Sequence, residues 1–435
     1  MSDLRLAARP MTRRTLGTLL AAGAGATTLA ACGTRGGTPG PNTPLRISAI
    51  NHVWSQAVRE RLPEFEEQIG RRVSMQLLTA DQLANSYNVK LNASATDIDV
   101  MMVRALQEQL LFARNGWLAD LTGLVGSDAG FAWSDFQDAP RERSVTRGKV
   151  LSVPVVTERP ALYYRKDLMD APPATLDALR EAALDLTGDD LFGYVGRGQR
   201  SGAVTQWSSF LYSFGGDFTT PDGGSGIGSP EAVAAYRFYG ELLDRAGPPG
   251  ATNMSLEQAM PIFAQGKAAF YVDADAIYSN FLDEKISTVR DRVGFAPFPA
   301  GPAGSRPHNI PSWSLGINEF SRLRDDAWRF IRWVSGPEMV TTLQTAGIPG
   351  ARSSVWADPA TLASFPADLA EAMRINARNG VGIDRPAVIQ VGRARDIVGR
   401  PLVAGILGQD VAPVAADAHA EFADFLVRDN RQQEF

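Results

Sequence analysis

The sequence predicts an α/β protein with more than one domain-sized unit, on three observations. Strand-like and helix-like segments alternate from residue 45 to residue 103. About 400 residues follow Cys32, enough for two or three units with substantial cores. No fixed-period repeat runs through the chain, so a solenoid is not expected.

The first strand spans residues 45–50. Residues 55–70 then carry Val58, Leu62, Phe65 and Ile69 at spacings of 4, 3 and 4, one apolar helical face that stops at Gly70. A strand at 73–78, a helix at 81–93 and a buried strand at 98–103 complete the series. Strand, helix, strand, helix, strand points to a largely parallel sheet with crossover helices.

The pattern changes beyond residue 149. Strands are predicted at 150–156 and 161–164, helices around 176–183, 206–214, 230–246 and 256–265, and a strand at 268–272 that leads into a helix through Phe281. Strands at 293–296 and 314–317 precede helices at 325–335 and 337–345, and the chain from 359 onward is mostly helical. Pro-rich corners at 154–160 and 297–307, with residues 347–352, are where the chain can cross between lobes.

Residues 1–32 have the three zones of an export signal. Arg5, Arg9, Arg13 and Arg14 give a basic start, residues 16–29 are weakly apolar, and small residues lead to the cut. The apolar run is too short for the roughly 20 residues a bilayer span needs. Leu29-Ala30-Ala31-Cys32 resembles the lipobox of bacterial lipoproteins, which implies that Cys32 takes a diacylglycerol and becomes the new N-terminus. Two acyl chains anchor far better than one. Thr12-Arg13-Arg14-Thr15-Leu16 looks like a twin-arginine signal, so export is by the Tat or the Sec route. Residues 32–44, rich in Gly, Pro and Thr, form a flexible linker between lipid and folded body.

Composition narrows the function. The net charge of −5 and the absence of a basic block give no nucleic-acid signature. Cys32 is the single cysteine, and His52, His308 and His419 are scattered, so no Cys/His metal cluster and no cofactor are predicted, while a carboxylate-only calcium site is left open.

Several segments together resemble the extracellular solute-binding proteins of carbohydrate ABC importers, the maltose-binding-like family. Residues 112–121 (FARNGWLADL), 153–156 with 161–168 (VPVV, ALYYRKDL), 263–270 (FAQGKAAF), 293–299 (VGFAPFP) and 327–334 (AWRFIRWV) stand in the family's order, and Gly347-Ile348-Pro349 precedes Arg352-Ser353-Ser354. The resemblance implies a type II periplasmic-binding-protein fold: two α/β lobes around a ligand cleft, joined by three crossings near 156–159, 297–302 and 351–356. Residues 45–156 and 298–350 would form the first lobe, and 157–297 with 351–435 the second. The implied function is a non-catalytic, monomeric, lipid-anchored, extracytoplasmic protein that hands a sugar or sugar alcohol to the permease subunits of an importer.

Candidate ligand contacts follow from strand ends and from the resemblance. His52 and Trp54 follow the first strand, and Arg104 the third, where such sheets bind ligands. Glu158 matches a ligand-binding glutamate of maltose-binding relatives. Asp273 and Asp275 follow the strand at 268–272, Trp207 and Trp313 lie in segments that line the family's cleft, and Arg352 follows the last crossing. Aromatic planes with carboxylates and arginines suit a hydroxyl-rich solute. The plainer alternatives are core packing for the tryptophans, a structural ion pair for Arg104, a helix cap for Asp273 and a polar rim position for His52. Asp273-Ala274-Asp275-Ala276 stands where maltose-type members carry an aromatic, which favours a monosaccharide, small disaccharide or sugar alcohol.

Three rival functions are open to the sequence. A cationic solute such as a polyamine or an oligopeptide would suit the acidic loop. A glycosidase would need two carboxylates flanking one bond. A ferric-ion binder would use Tyr163-Tyr164.

Overall fold

The computed structural model describes Gly40 and residues 42–433. The export segment, the lipobox and Cys32 lie outside the described residues. Nine strands build the two main sheets: β1 (Leu45–Ile50), β2 (Val73–Leu78), β3 (Val100–Val103), β4 (Val153–Glu158), β5 (Pro160–Arg165), β6 (Phe192–Val195), β7 (Ala268–Ala274), β8 (Val293–Ala296) and β9 (Ile310–Ile317). The first sheet has the order β2-β1-β3-β9-β4 and the second β8-β5-β7-β6.

β1 pairs in parallel with β2 and β3, as alternating strands and helices require, whereas β9 runs antiparallel to both β3 and β4. In the second sheet β5 is antiparallel to β8 and β7, and β6 is parallel to β7. Each sheet has its own core. Leu45, Ile47, Val100, Val153, Leu315 and Phe330 pack in the first lobe. Tyr194, Trp207, Phe210, Tyr236, Phe270 and Leu402 pack in the second. Helices after residue 366 pack on the second lobe, among them Ala367–Arg378, Val391–Val398 and Val411–Gln433.

The three passages between lobes can be placed from packing. Glu158 closes β4 in the first sheet and Pro160 opens β5 in the second, so the first passage is Arg159. The second passage lies near Asn309, later than the expected 297–302. Phe298 is buried in the second core, Ala303 N–H donates to Ser213 O at 2.9 Å, and His308 N–H donates to Ser209 Oγ at 3.0 Å, so these residues belong to the second lobe. The third passage runs from Ala351, buried with the first core, to Trp356, buried with the second lobe.

Two local departures have physical causes. The helix expected over 55–70 is two helices, Val53–Glu60 and Leu62–Ile69, with Arg61 between them, because Pro63 in the first turn of the second helix lacks the N–H a continuous helix needs. Strand β6 was not predicted, since Phe192-Gly193-Tyr194-Val195 is short, contains glycine and shows no alternation.

Candidate functional site

The site is built where the first sheet hands the chain to the second. Glu158 ends β4, its backbone registered with Ile310 of β9. Its carboxylate is partly exposed and has no side-chain partner among the described residues. Burial, and then the nearby charge of Asp275, pushes the carboxyl up to about 7, while Arg197 pulls the other way. A deep carboxylate without a partner is costly unless something else hydrogen-bonds it.

Arg197 reaches the site just past β6. Gly198 makes this possible, because a Cβ there would sit 2.2 Å from Ala251 O. Arg197 Nε donates to Asp273 Oδ2 at 2.8 Å, and its Nη2 pairs with Oδ1. Asp273 also accepts from Gln206 Nε2 at 2.8 Å, Tyr271 Oη at 2.6 Å and Ala274 N at 2.7 Å. A carboxylate offers about four acceptor positions, so Asp273 is saturated by protein. Burial opposes the Arg197 charge, but Asp273 holds its pKa above the ordinary arginine value.

Opposite charges continue toward the segment around Asp384. Asp384 is fully buried and binds Arg385 through Nε at 2.7 Å and through Nη2. Burial alone would raise the Asp384 carboxyl, yet Arg385 holds it well below the carboxylate range. Arg385 Nη1 donates to Gln107 Oε1 of the first lobe at 3.2 Å. Arg395 donates to Ser201 O at 2.8 Å and Thr205 Oγ1 at 3.1 Å, both neutral, and burial lowers its pKa to about 9. On the first-lobe wall, Arg104 binds Glu108 through Nε at 2.8 Å and stands 5.8 Å over the Trp313 ring. Trp313 is itself partly exposed, and β9 slips register on either side of it, a bulge that re-aims its side chain.

The nine residues singled out from sequence therefore divide. Glu158, Arg104 and Trp313 stand at the meeting of the lobes with surface to offer. His52 caps the helix Val53–Glu60, its Nδ1 accepting from Trp54 N–H at 3.2 Å, and burial lowers its pKa. The others are corrected. Trp54 is 1% exposed within the first core, because it sits on the inward face of its helix. Trp207 is fully buried and stacked 4.0 Å from Tyr236. Asp273 is saturated as described. Asp275 is buried and accepts from Arg159 Nε at 2.6 Å. Arg352 donates to Ser335 O at 2.6 Å, Phe131 O at 2.8 Å and Asp135 Oδ2 at 3.0 Å, which pins it to the first lobe.

Sequence reasoning missed Arg197, Gln107, Asp384, Arg385 and Arg395. Arg197 was hidden with strand β6. Asp384-Arg385-Pro386 carried a signal, since Pro386 marks a chain break and a charged pair before it stands on a loop. Tyr163 and Tyr164 do not converge: Tyr163 is buried and donates to Ala274 O at 2.6 Å, and Tyr164 is half-buried elsewhere. No group of three His, Cys, Asp or Glu among the described residues is placed to hold a metal ion.

Residues 52–341 match the family model described as bacterial extracellular solute-binding protein. The chain belongs to that family. Its membership places the working body outside the cytoplasm. Among relatives, an erythritol/L-threitol-binding protein of Mycolicibacterium smegmatis is 27% identical over 382 residues, 78% of each chain. A mannitol-binding protein of Pseudomonas aeruginosa is 28% identical over 61% of this chain and 64% of its own. A probable ABC transporter-binding protein of Deinococcus radiodurans is 28% identical over 58% of this chain and 61% of its own. The chain thus spans less than two thirds of the length of the last two. The family fold is seen in a solute-binding protein of Agrobacterium radiobacter with ribitol (TM-score 0.75, 23% identity, 88% of this chain and 98% of that one). Maltose-bound MalE3 of T. maritima shows it too (TM-score 0.75, 27% identity, 88% and 99%).

Proposed function

We propose that the protein captures a small sugar or sugar alcohol between its lobes and delivers it to the membrane subunits of an ABC importer, tethered outside the cell membrane by lipid on Cys32. The observation that carries this reading is Glu158: a partly exposed carboxylate at the hinge, unsatisfied by protein, surrounded by ordered ion pairs. Two neighbouring hydroxyls of a polyol can donate to its two oxygens, and such charge-assisted bonds are about twice as strong as neutral ones. Arg104, Arg395 and Trp313 would supply further donors and an apolar plane. A solute touching both lobes stabilises the closed arrangement, which is the state the importer would read. The relatives named for erythritol/L-threitol and mannitol support the choice of solute.

The rivals fare worse on the same geometry. A polyamine would meet Arg104, Arg197, Arg385 and Arg395 as well as the acids. A glycosidase would need a second free carboxylate, but Asp273 and Asp275 are bound to Arg197 and Arg159. We take the protein to be a non-catalytic monomer. A thermal-shift screen of erythritol, ribitol, mannitol, glucose, maltose and putrescine tests the reading, because a ligand that binds the native state raises the melting temperature by mass action. A rise with a polyol or sugar is expected. A rise with putrescine alone, or with none of them, would overturn it.

A further inference from the structure

A cavity of about 1150 Å³ is walled by both lobes, and Glu158 is not among the residues that line it. The first lobe contributes its helix Asp138–Arg143, and the second contributes Arg378 and residues 380–383. Asn309 and Trp356 enter the wall from the second and third passages. Val381 fastens the second-lobe side to the passage, accepting from Asn309 N at 2.8 Å and donating to Pro307 O at 2.8 Å. A gap of this size has room for a small organic molecule.

The charges in the wall are unevenly spent. Arg374 is taken up by Glu371, through Nε at 2.8 Å and Nη2 at 2.6 Å. Asp138 binds Arg141 at 2.5 Å, and Glu142 stands 3.8 Å from Arg143 Nη2. Arg306, Arg378 and Asp217 also line the cavity, and none of the three forms an ion pair among the described residues. Asp217 accepts from the backbone N–H of Phe218 at 2.6 Å and lies in the field of Arg306 and Arg143. Two buried polar atoms of lining residues also lack partners among the described residues, Arg143 Nε and Asn309 Oδ1. Asn309 is 1% exposed, and its Nδ2 is spent on Gln137 Oε1 at 3.2 Å and Ala377 O at 3.4 Å, so the oxygen is the atom left over. A buried polar atom without a partner is costly, and these two call for a polar occupant.

The wall thus sets uncommitted guanidinium groups beside acceptors. Guanidinium forks match carboxylate and phosphate oxygens, and the acceptors match hydroxyls. We infer that this cavity is a further ligand site, for a small hydroxylated organic anion of the sugar-acid or sugar-phosphate class. It goes beyond the proposed function and does not rest on it.

Calorimetry on the full chain tests this, with gluconate and glucose 6-phosphate as probes and potassium chloride at matched ionic strength as the blank. Binding of at least one probe is expected. Gluconate alone marks a carboxylate site, glucose 6-phosphate alone a phosphate site, and both together a site that takes either. Arg306 and Arg378 are exposed, so Arg306→Gln and Arg378→Gln should keep the fold, which a melting curve checks. Each should weaken the binding about tenfold or more. Heats no larger than the blank would overturn the site, as would binding within twofold of wild type in the double variant.

Discussion

Glu158 and Arg159 are neighbours with opposite fates. The Arg159 guanidinium is fully buried, bound to Asp275 through Nε at 2.6 Å and lying 4.8 Å from the Trp356 ring, whereas the Glu158 carboxylate has no side-chain partner among the described residues. One residue ties the passage between the lobes; the other keeps its carboxylate unpaired by protein, which is what the proposed solute contact needs. Glu158→Gln keeps the shape and removes the charge, so affinity for the preferred polyol should fall roughly tenfold with no loss of melting temperature, and with a gain at pH 8 where the carboxylate is ionised. Calorimetry and a melting curve check both halves.

The same carboxylate should make the protein pH-sensitive. Its folded pKa of about 7 lies above the ordinary 4.5, raised by burial and by Asp275, with Asp273 and Asp384 adding to the push and Arg197 opposing it. The folded chain then holds the extra proton between these values, so this group lowers stability as pH rises from about 4.5 to 7. Polyol affinity should move the other way, rising through pH 7 as the acceptor ionises. Titrations at pH 5.5 and 8 should show that rise in wild type and a flat profile in Glu158→Gln.

Arg197 and Asp273 form a buried pair, and removing one partner strands the other. Asp273→Ala should cost about 3–5 kcal/mol of stability. The loss would appear in denaturant melts without any solute, which separates it from a binding defect. A melt matching wild type would refute the structural role.

Trp54 offers a second contrast between core and site. Its truncation to Ala should cost about 3–5 kcal/mol as a large cavity in the first lobe. Polyol affinity measured well below the melting temperature should stay within a few-fold of wild type.

The proposed lipid on Cys32 would govern location rather than binding. Expressed in a bacterium that processes lipoproteins, the wild-type chain should incorporate labelled fatty acid and sediment with membranes. Cys32→Ser should do neither, yet keep the polyol affinity of the soluble body.

Much of the architecture was legible because it rests on local patterns. β1, β2 and β8 were read with their observed ends, since alternating or continuous apolar runs bounded by turns mark strands. Family motifs singled out Glu158 as a candidate. The site around it was less legible, for reasons of distance. Whether Asp273 faces solvent or Arg197 depends on residues 76 positions apart, and no local pattern reports that. Trp54 and Trp207 stand at plausible cleft positions in sequence, yet one face of a helix separates lining from core. Tertiary packing chose the core for both.

The chain passes between the lobes three times, at Arg159, near Asn309 and between Ala351 and Trp356. Neither half is therefore a continuous stretch of polypeptide, and a single proteolytic nick at any one passage leaves two covalent links intact. Expressing either half alone would require splicing distant segments. Three links restrict sliding of one lobe past the other more than a single link would, so loosening any one of them by mutation should change the alignment of the two halves less than severing it.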